Sequence, residues 1–388
     1  MYFKFNRNFS ASIKRLSAKA TFSPQSEASG LRFRAADGVE FVGDGIRATG
    51  GFQKDSTDVK RLLAWGDKLG ICVGDKMYLR SQGAESLFLI NCVFDGDVAA
   101  AYEPHTRMGV VSHGGGYVCL SENDDDSTDG QITFSAVAAG AYRLWGAWRH
   151  RLYFTDIGEY EWYVNDKANQ NYIDFPSDVR SIVGADNGAY VFTDSELYFV
   201  VADADFSKIS LATVCRDFGK IVGNGALFGG KLFFATAEGV FSLGLSDKKP
   251  TLLLPAKALS LGSISGANLG VYDGKAFVSL NGNSIVSFGS DGKLVGVWQL
   301  VHGSFVAANC GVFALTESGV MTLTKIVGVG CWHSAPCDMS LPRPKTIIGL
   351  EICSPSGATV TVTSDEGSHT AKVAGDPCFQ FVPFSLRG

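Results

Sequence analysis

The stretch Ile221-Val222-Gly223-Asn224-Gly225-Ala226-Leu227-Phe228-Gly229-Gly230-Lys231-Leu232-Phe233-Phe234-Ala235-Thr236-Ala237-Glu238-Gly239-Val240-Phe241-Ser242-Leu243 decides the fold. It reads as a short glycine-tipped strand, a tight turn, an apolar strand, a second turn and a third strand. Gly229-Gly230 supplies the positive φ that a two-residue hairpin turn requires. No 3.6-residue apolar periodicity runs through it, so a helix is excluded.

Outward from this stretch the same unit recurs. Aromatic-rich apolar trios stand at Met77-Tyr78-Leu79, Tyr117-Val118-Cys119, Leu152-Tyr153-Phe154, Tyr190-Val191-Phe192, Leu232-Phe233-Phe234, Ala276-Phe277-Val278 and Val312-Phe313-Ala314. Their middle residues lie 40, 35, 38, 42, 44 and 36 apart. Most are followed by another strand within a few residues, as at Glu196-Leu197-Tyr198-Phe199-Val200 and Ser284-Ile285-Val286-Ser287-Phe288. A period of about 40 residues with room for four strands is the arithmetic of a propeller blade. A row of sandwich domains needs about 90–100 residues each. The chain is therefore expected to be all-β, with a six- or seven-bladed β-propeller over residues 36–326. Val39-Glu40-Phe41-Val42 is the expected closing strand, and small residues are expected where the blades crowd the axis.

The rhythm stops near Gly328, and Pro336, Pro342 and Pro344 mark a linker. Strand-like runs follow at 346–352, 358–363, 370–373 and 379–382, enough for a small sandwich-like β-domain over 327–388. Its incomplete sheet leaves an edge for a partner. At the other end, residues 1–35 read as an extended basic arm. Seven bases to residue 34 meet one acid, Glu27, so the rest of a chain of net charge −5 carries about −11.

Glycine is abundant (46 of 388) and charged residues are sparse (19%), which excludes disorder and a coiled coil. No run of about 18 apolar residues suggests a membrane-spanning helix. Nine scattered cysteines, mostly in strand-like runs, read as buried thiols of a reducing compartment.

Motifs that carry chemistry are few. There is no Gly-x-Ser-x-Gly elbow, phosphate-binding loop or His-Glu-x-x-His. Cys331, His333 and Cys337 form a weak zinc candidate that lacks a fourth ligand. Asp124, Asp126 and Asp129 offer loop oxygens for calcium without the bidentate Glu that closes an EF-hand. Trp145, Trp148 and Trp162, interleaved with Arg143, Arg149, His150 and Arg151, form an aromatic patch able to stack on sugars or fill space between blades. Asp156, Asp194, Asp203 and Asp217 are carboxylates for a channel mouth. No cofactor and no catalytic residue is expected, and the chain reads as a non-enzyme.

The run Gly219–Phe241 resembles a recurrent blade of propellers in tailed bacteriophages, the tail-nozzle, tail-tubular and head-to-tail stabilisation proteins. The segment from Trp332 to Arg387-Gly388 is similar to the small β-domain appended to those propellers, with Pro344-Lys345-Thr346, an alternating Thr-Val strand and a closing Leu386-Arg387-Gly388. The family continues with further strands where this chain stops. The resemblance implies a structural virion protein of the neck or tail, assembled in the host cytoplasm. It would form a ring with copies of itself, touch portal, adaptor or tail proteins, and surround the DNA exit channel. DNA would pass during ejection as non-specific cargo, which an acidic wall repels. Tyr2, Phe3, Lys4, Phe5, Arg7, Phe9, Lys14, Arg15 and Lys19 are the expected partner-binding residues of the arm. Two other readings are a carbohydrate-binding propeller at a host-cell surface and a propeller enzyme.

Overall fold

The computed structural model describes the chain except residues 1, 12–13, 23–34, 38, 43–44, 49, 57–58, 75, 82–83, 89–97, 122–126, 163–170, 203–208, 260, 328–330, 334–345, 355–356, 365 and 388. Two compact units emerge, residues 50–327 and a second unit made from 1–49 with 328–388.

The larger unit is a seven-bladed β-propeller. Six blades run consecutively, each an antiparallel meander in chain order. The fifth, for example, holds Ala226–Phe228, Lys231–Thr236, Gly239–Gly244 and Thr251–Pro255. The seventh takes Ser304–Ala308, Gly311–Thr316 and Gly319–Val327 from one side of the sequence and Gly50–Ser56 from the other. The expected closing strand is thus displaced. Val39–Val42 pairs with Gly45–Ala48 as a hairpin of the other unit, and the next strand, Gly50–Ser56, closes the propeller.

First strands of neighbouring blades touch in turn around the ring, and Ser304–Ala308 meets Arg61–Trp65 where the ring closes. There the Ser304 hydroxyl accepts from the Leu62 amide and donates to its carbonyl, both at 3.2 Å. The expected crowding is a matter of backbone on backbone. A Cβ on Gly184 would lie 1.8 Å from the Ala139 carbonyl oxygen of the preceding blade, and one on Gly270 would lie 2.1 Å from that of Ala307.

The core lies in the seams between blades. Trp145, Leu152 and Phe154 of the third blade pack against Ile182, Val191 and Tyr198 of the fourth. Leu62, Leu69 and Ile71 meet Val306, Phe313 and Val320 where the last blade joins the first. Burying such side chains stabilises by about 1.5–3 kcal/mol each. Cys72, Cys119 and Cys215 are buried.

In the second unit, the strand runs expected near the C-terminus appear as Thr346–Ser354, Ala358–Ser364, Gly367–Val373 and Asp376–Arg387. The first 22 residues differ from an extended arm. Tyr2–Ala11 and Lys14–Phe22 form an antiparallel hairpin, and Tyr2–Ala11 also pairs with Thr346–Ser354. The order is Lys14–Phe22, Tyr2–Ala11, Thr346–Ser354, Asp376–Arg387. One edge expected to await a partner is therefore occupied by the chain's own N-terminus. The alternating aromatics Phe3, Phe5 and Phe9 suit such a strand. Lys14, Arg15 and Lys19 then lie on its outer strand, where charge discourages unspecific pairing.

Candidate functional site

A four-stranded meander puts its turns at two ends. Loops between blades and turns between second and third strands share one end; the remaining turns share the other. This sorts the candidate residues. Asp194 and Asp217 lie at the end with the inter-blade loops, whereas Asp156 lies at the opposite end, accepting from Asn171 at 2.7 Å. Asp203 is outside the described residues. The expected channel-mouth carboxylates are thus divided between both ends.

The inter-blade end carries a belt of ion pairs over the third and fourth blades. Arg180 grips Asp194 through Nε (2.8 Å) and Nη2 (3.3 Å), with Lys220 3.6 Å away. Arg151 forks onto Asp174 at 2.6 and 2.9 Å, its guanidinium 3.8 Å from the Tyr172 ring centroid. These hydrogen bonds hold both aspartates below the usual carboxylate range. Being exposed, such pairs add little stability and serve to fix loop geometry.

The three tryptophans do not form one patch. Trp145 is 0% exposed, its Nε1 donating to the Gly140 carbonyl at 2.9 Å. Trp162 is 8% exposed and packs on Phe134 with centroids 4.8 Å apart. Trp148 alone reaches solvent, at 39%. Along Arg143–Trp148 both faces are buried as far as Ala147, and Trp148 is exposed because it stands at the strand's end, where the turn begins. In that two-residue turn Arg149 has φ 56°, a conformation ordinarily left to glycine, and its guanidinium lies 5.2 Å from the Trp148 ring. The Arg149 and His150 carbonyls accept from the Val179 and Phe175 amides at 2.8 Å, which pins the turn.

At the same end, between the fifth, sixth and seventh blades, lies a cavity of about 300 Å³ lined by residues including Gly223, Gly266, Asn268, Ser279, His302 and Gly303. Ser279 and His302 are 3% and 7% exposed. Ser279 Oγ and His302 Nε2 are 2.6 Å apart, and His302 Nδ1 is 2.7 Å from the Leu300 carbonyl oxygen. Sequence reading passed over both residues. Ser279 sits in an apolar strand, Lys275–Leu280, and His302 follows 23 positions later, at no motif spacing. Only the return of the chain into the next blade brings them together.

Of the metal candidates, Cys331 and His333 share a short strand paired with Ala35–Asp37, while Cys337, Asp124 and Asp126 lie outside the described residues. Asp129 is on the outer strand of the second blade, opposite Val118. Among the described residues no group of three or more His, Cys, Asp or Glu is poised around one point. No described helix is long and apolar enough to cross a membrane.

No family model matches the chain, and no curated protein does. Among solved structures, it is similar to PorZ of Porphyromonas gingivalis, a bacterial surface component of the type-IX secretion system. The TM-score is 0.50 at 14% identity, over 83% of this chain and 46% of PorZ. The chain thus spans about half the length of that protein. It is also similar to a computationally designed protein, Ika8 (TM-score 0.46, 11% identity, 76% of this chain and 98% of that one), and to a chain of the mitotic checkpoint complex (0.49, 9%, 72% and 95%). At these identities the PorZ likeness establishes the propeller fold and nothing finer.

Proposed function

We propose that the chain is a structural virion protein of a tailed bacteriophage, one copy of a ring at the neck or tail through which DNA leaves. The observation that carries this reading is the division of labour within the chain. The propeller closes on itself with Gly50–Ser56, so residues before it are not needed for closure. Of these, Tyr2–Ala11 pairs with Thr346–Ser354 and Ala35–Asp37 with Cys331–His333, and the basic segment Lys14–Phe22 is the outer strand of the first of these sheets. A closed propeller in the same chain as a β-unit with a basic outer strand suits an assembly of copies that meet basic strand to acidic body. The resemblance of Gly219–Phe241 and of the C-terminal segment to phage propellers supports the same reading.

Mass photometry of the purified chain, alone and with the products of its neighbouring genes, tests it across a salt series. Rings that form with a partner and dissociate as salt rises are expected. The triple change Lys14→Glu, Arg15→Glu, Lys19→Glu should keep the far-ultraviolet spectrum and lose the rings. A chain that stays monomeric with every neighbour would sink the proposal.

A second reading, glycan binding at a cell surface, is favoured by the Trp148–Arg149 turn. A left-handed arginine costs about 1–2 kcal/mol relative to glycine, and here it holds a cation against an exposed aromatic face. Arg149→Gly is expected to raise the melting temperature by about 2–4 °C and to abolish binding to anionic glycans. Unchanged glycan binding in that variant would remove the reading.

A further inference from the structure

We propose that Ser279, His302 and Asn268 form an acyl-transfer site for short-chain carboxylic esters at the inter-blade end of the propeller, an activity beyond an assembly role.

The hydrogen bonds fix the direction of the relay. A carbonyl oxygen only accepts, so the ring proton of His302 resides on Nδ1 and points to Leu300. Burial pulls the His302 pKa below its ordinary value, outweighing the Leu300 contact, and the ring is neutral near pH 7. Its Nε2 lone pair therefore faces Ser279 Oγ, which donates to it across 2.6 Å. A hydroxyl in contact with a base that is itself oriented by a third group is the arrangement that activates a serine.

Asn268 supplies the remaining part. It stands directly opposite Ser279 in the ladder between Ala267–Tyr272 and Lys275–Leu280. Cross-strand partners project to the same face with Cβ atoms about 4.5–5.5 Å apart. Asn268 is exposed and lines the same cavity, so its amide is placed to donate to an oxygen that develops charge beside Ser279. The cavity mouth is kept open by small residues. A Cβ on Gly266 or Gly303 would meet nothing within 4 Å. A volume of about 300 Å³ is at the lower end for ligand pockets, which suits an acetyl ester rather than a long acyl chain.

The reaction balances without a cofactor. Ser279 Oγ bonds to the ester carbonyl carbon while its proton passes to His302 Nε2, and the carbonyl oxygen becomes the oxyanion that Asn268 receives. On collapse the carbon–alkoxy bond breaks and the alcohol leaves with the proton from His302. Water, deprotonated by the same nitrogen, then releases the carboxylic acid and restores the hydroxyl.

The full chain is treated with a fluorescent alkyl fluorophosphonate and the product mapped by peptide mass spectrometry, with 4-nitrophenyl acetate hydrolysis followed in parallel. One adduct on the Ser279 peptide is expected, absent from Ser279→Ala. Ser279 is buried, so the second arm is Asn268→Ala at an exposed position, which should slow both reactions about 10²–10³-fold without altering the melt. A buried Ser–His pair with a packing role alone predicts an unmodified wild type, and that result overturns the site. Unchanged rates in Asn268→Ala overturn the oxyanion assignment.

Discussion

Valine at position 184 is expected to leave the propeller unfolded or insoluble. Gly184 is in Ser181–Ala185, the first strand of the fourth blade, and faces Ala139 and Gly140 in the first strand of the third. Even alanine would set its Cβ 1.8 Å from the Ala139 oxygen and 2.6 Å from the carbonyl carbon. Neither is the end of a flexible side chain, so relief requires the two blades to part. Separation would also loosen the Trp145–Val191 seam beside it. Overpacking of adaptable cores costs about 1–3 kcal/mol; opposing backbones place this change above that range, comparable with the whole stability of a domain, about 5–15 kcal/mol. Gly266→Ala is the matched control, because a methyl there meets nothing within 4 Å. Urea melts of both variants decide the point. A Gly184→Ala protein as stable as Gly266→Ala would show that the inner strands can yield.

The second large effect separates two tryptophans on one strand. Trp145→Ala is expected to cost about 3–5 kcal/mol, the range for truncating a buried Phe or Trp. It removes the ring that packs on Phe154 at 5.4 Å between centroids, and it leaves the Gly140 carbonyl without its 2.9 Å donor. Trp148→Ala, three residues on, should stay within about 0.5 kcal/mol of wild type, because that ring is already 39% exposed. Paired denaturation curves with a shared slope would give both numbers. Equal losses would mean that Trp148 packs as tightly as Trp145, and the exposed turn would lose its claim as a recognition feature.

The propeller was legible because each blade repeats one aromatic-rich strand, yet the repeats do not fall on equivalent strands. In the last four blades the apolar trio is the second strand, as in Lys231–Thr236 and Lys275–Leu280. In the first three it is the third strand, as in Gly116–Ser121 and Arg151–Phe154. The slip has a steric cause. Second strands of the early blades carry glycine where a neighbour presses in. A Cβ on Gly109 would be 2.3 Å from the Trp65 ring, and one on Gly146 would be 2.9 Å from Phe134 and Trp162. Those strands stay apolar, as in Leu144-Trp145-Gly146-Ala147-Trp148, but glycine interrupts the run, and the uninterrupted aromatic-containing trio stands one strand on. The blade total survived because each blade still contributed one trio.

Closure falls two strands after the expected one for a different reason. Val39-Glu40-Phe41-Val42 has the better strand composition, whereas Gly50–Ser56 is polar and glycine-rich. An outermost strand needs only to satisfy backbone hydrogen bonds, so composition points to the wrong candidate. The cavity residues left no trace in composition at all. Ser279 and His302 are partners through topology, and Asn268 is positioned by ladder register.

Because the seventh blade borrows Gly50–Ser56, the ring cannot close until Ser304–Ala308, Gly311–Thr316 and Gly319–Val327 have been made. Leu62 and Ser304, which clip the closing seam, are 242 residues apart. At about 5–20 residues per second, the ribosome needs roughly 10–50 s to supply the second after the first. Blades made of local hairpins can form as they emerge, but Leu62, Leu69 and Ile71 stay open to solvent until Val306, Phe313 and Val320 arrive. A long-lived apolar flank beside an unpaired strand is what holdase chaperones bind. Yield in the cell is therefore set by protection of the first blade during that wait, and slowing elongation should lower it.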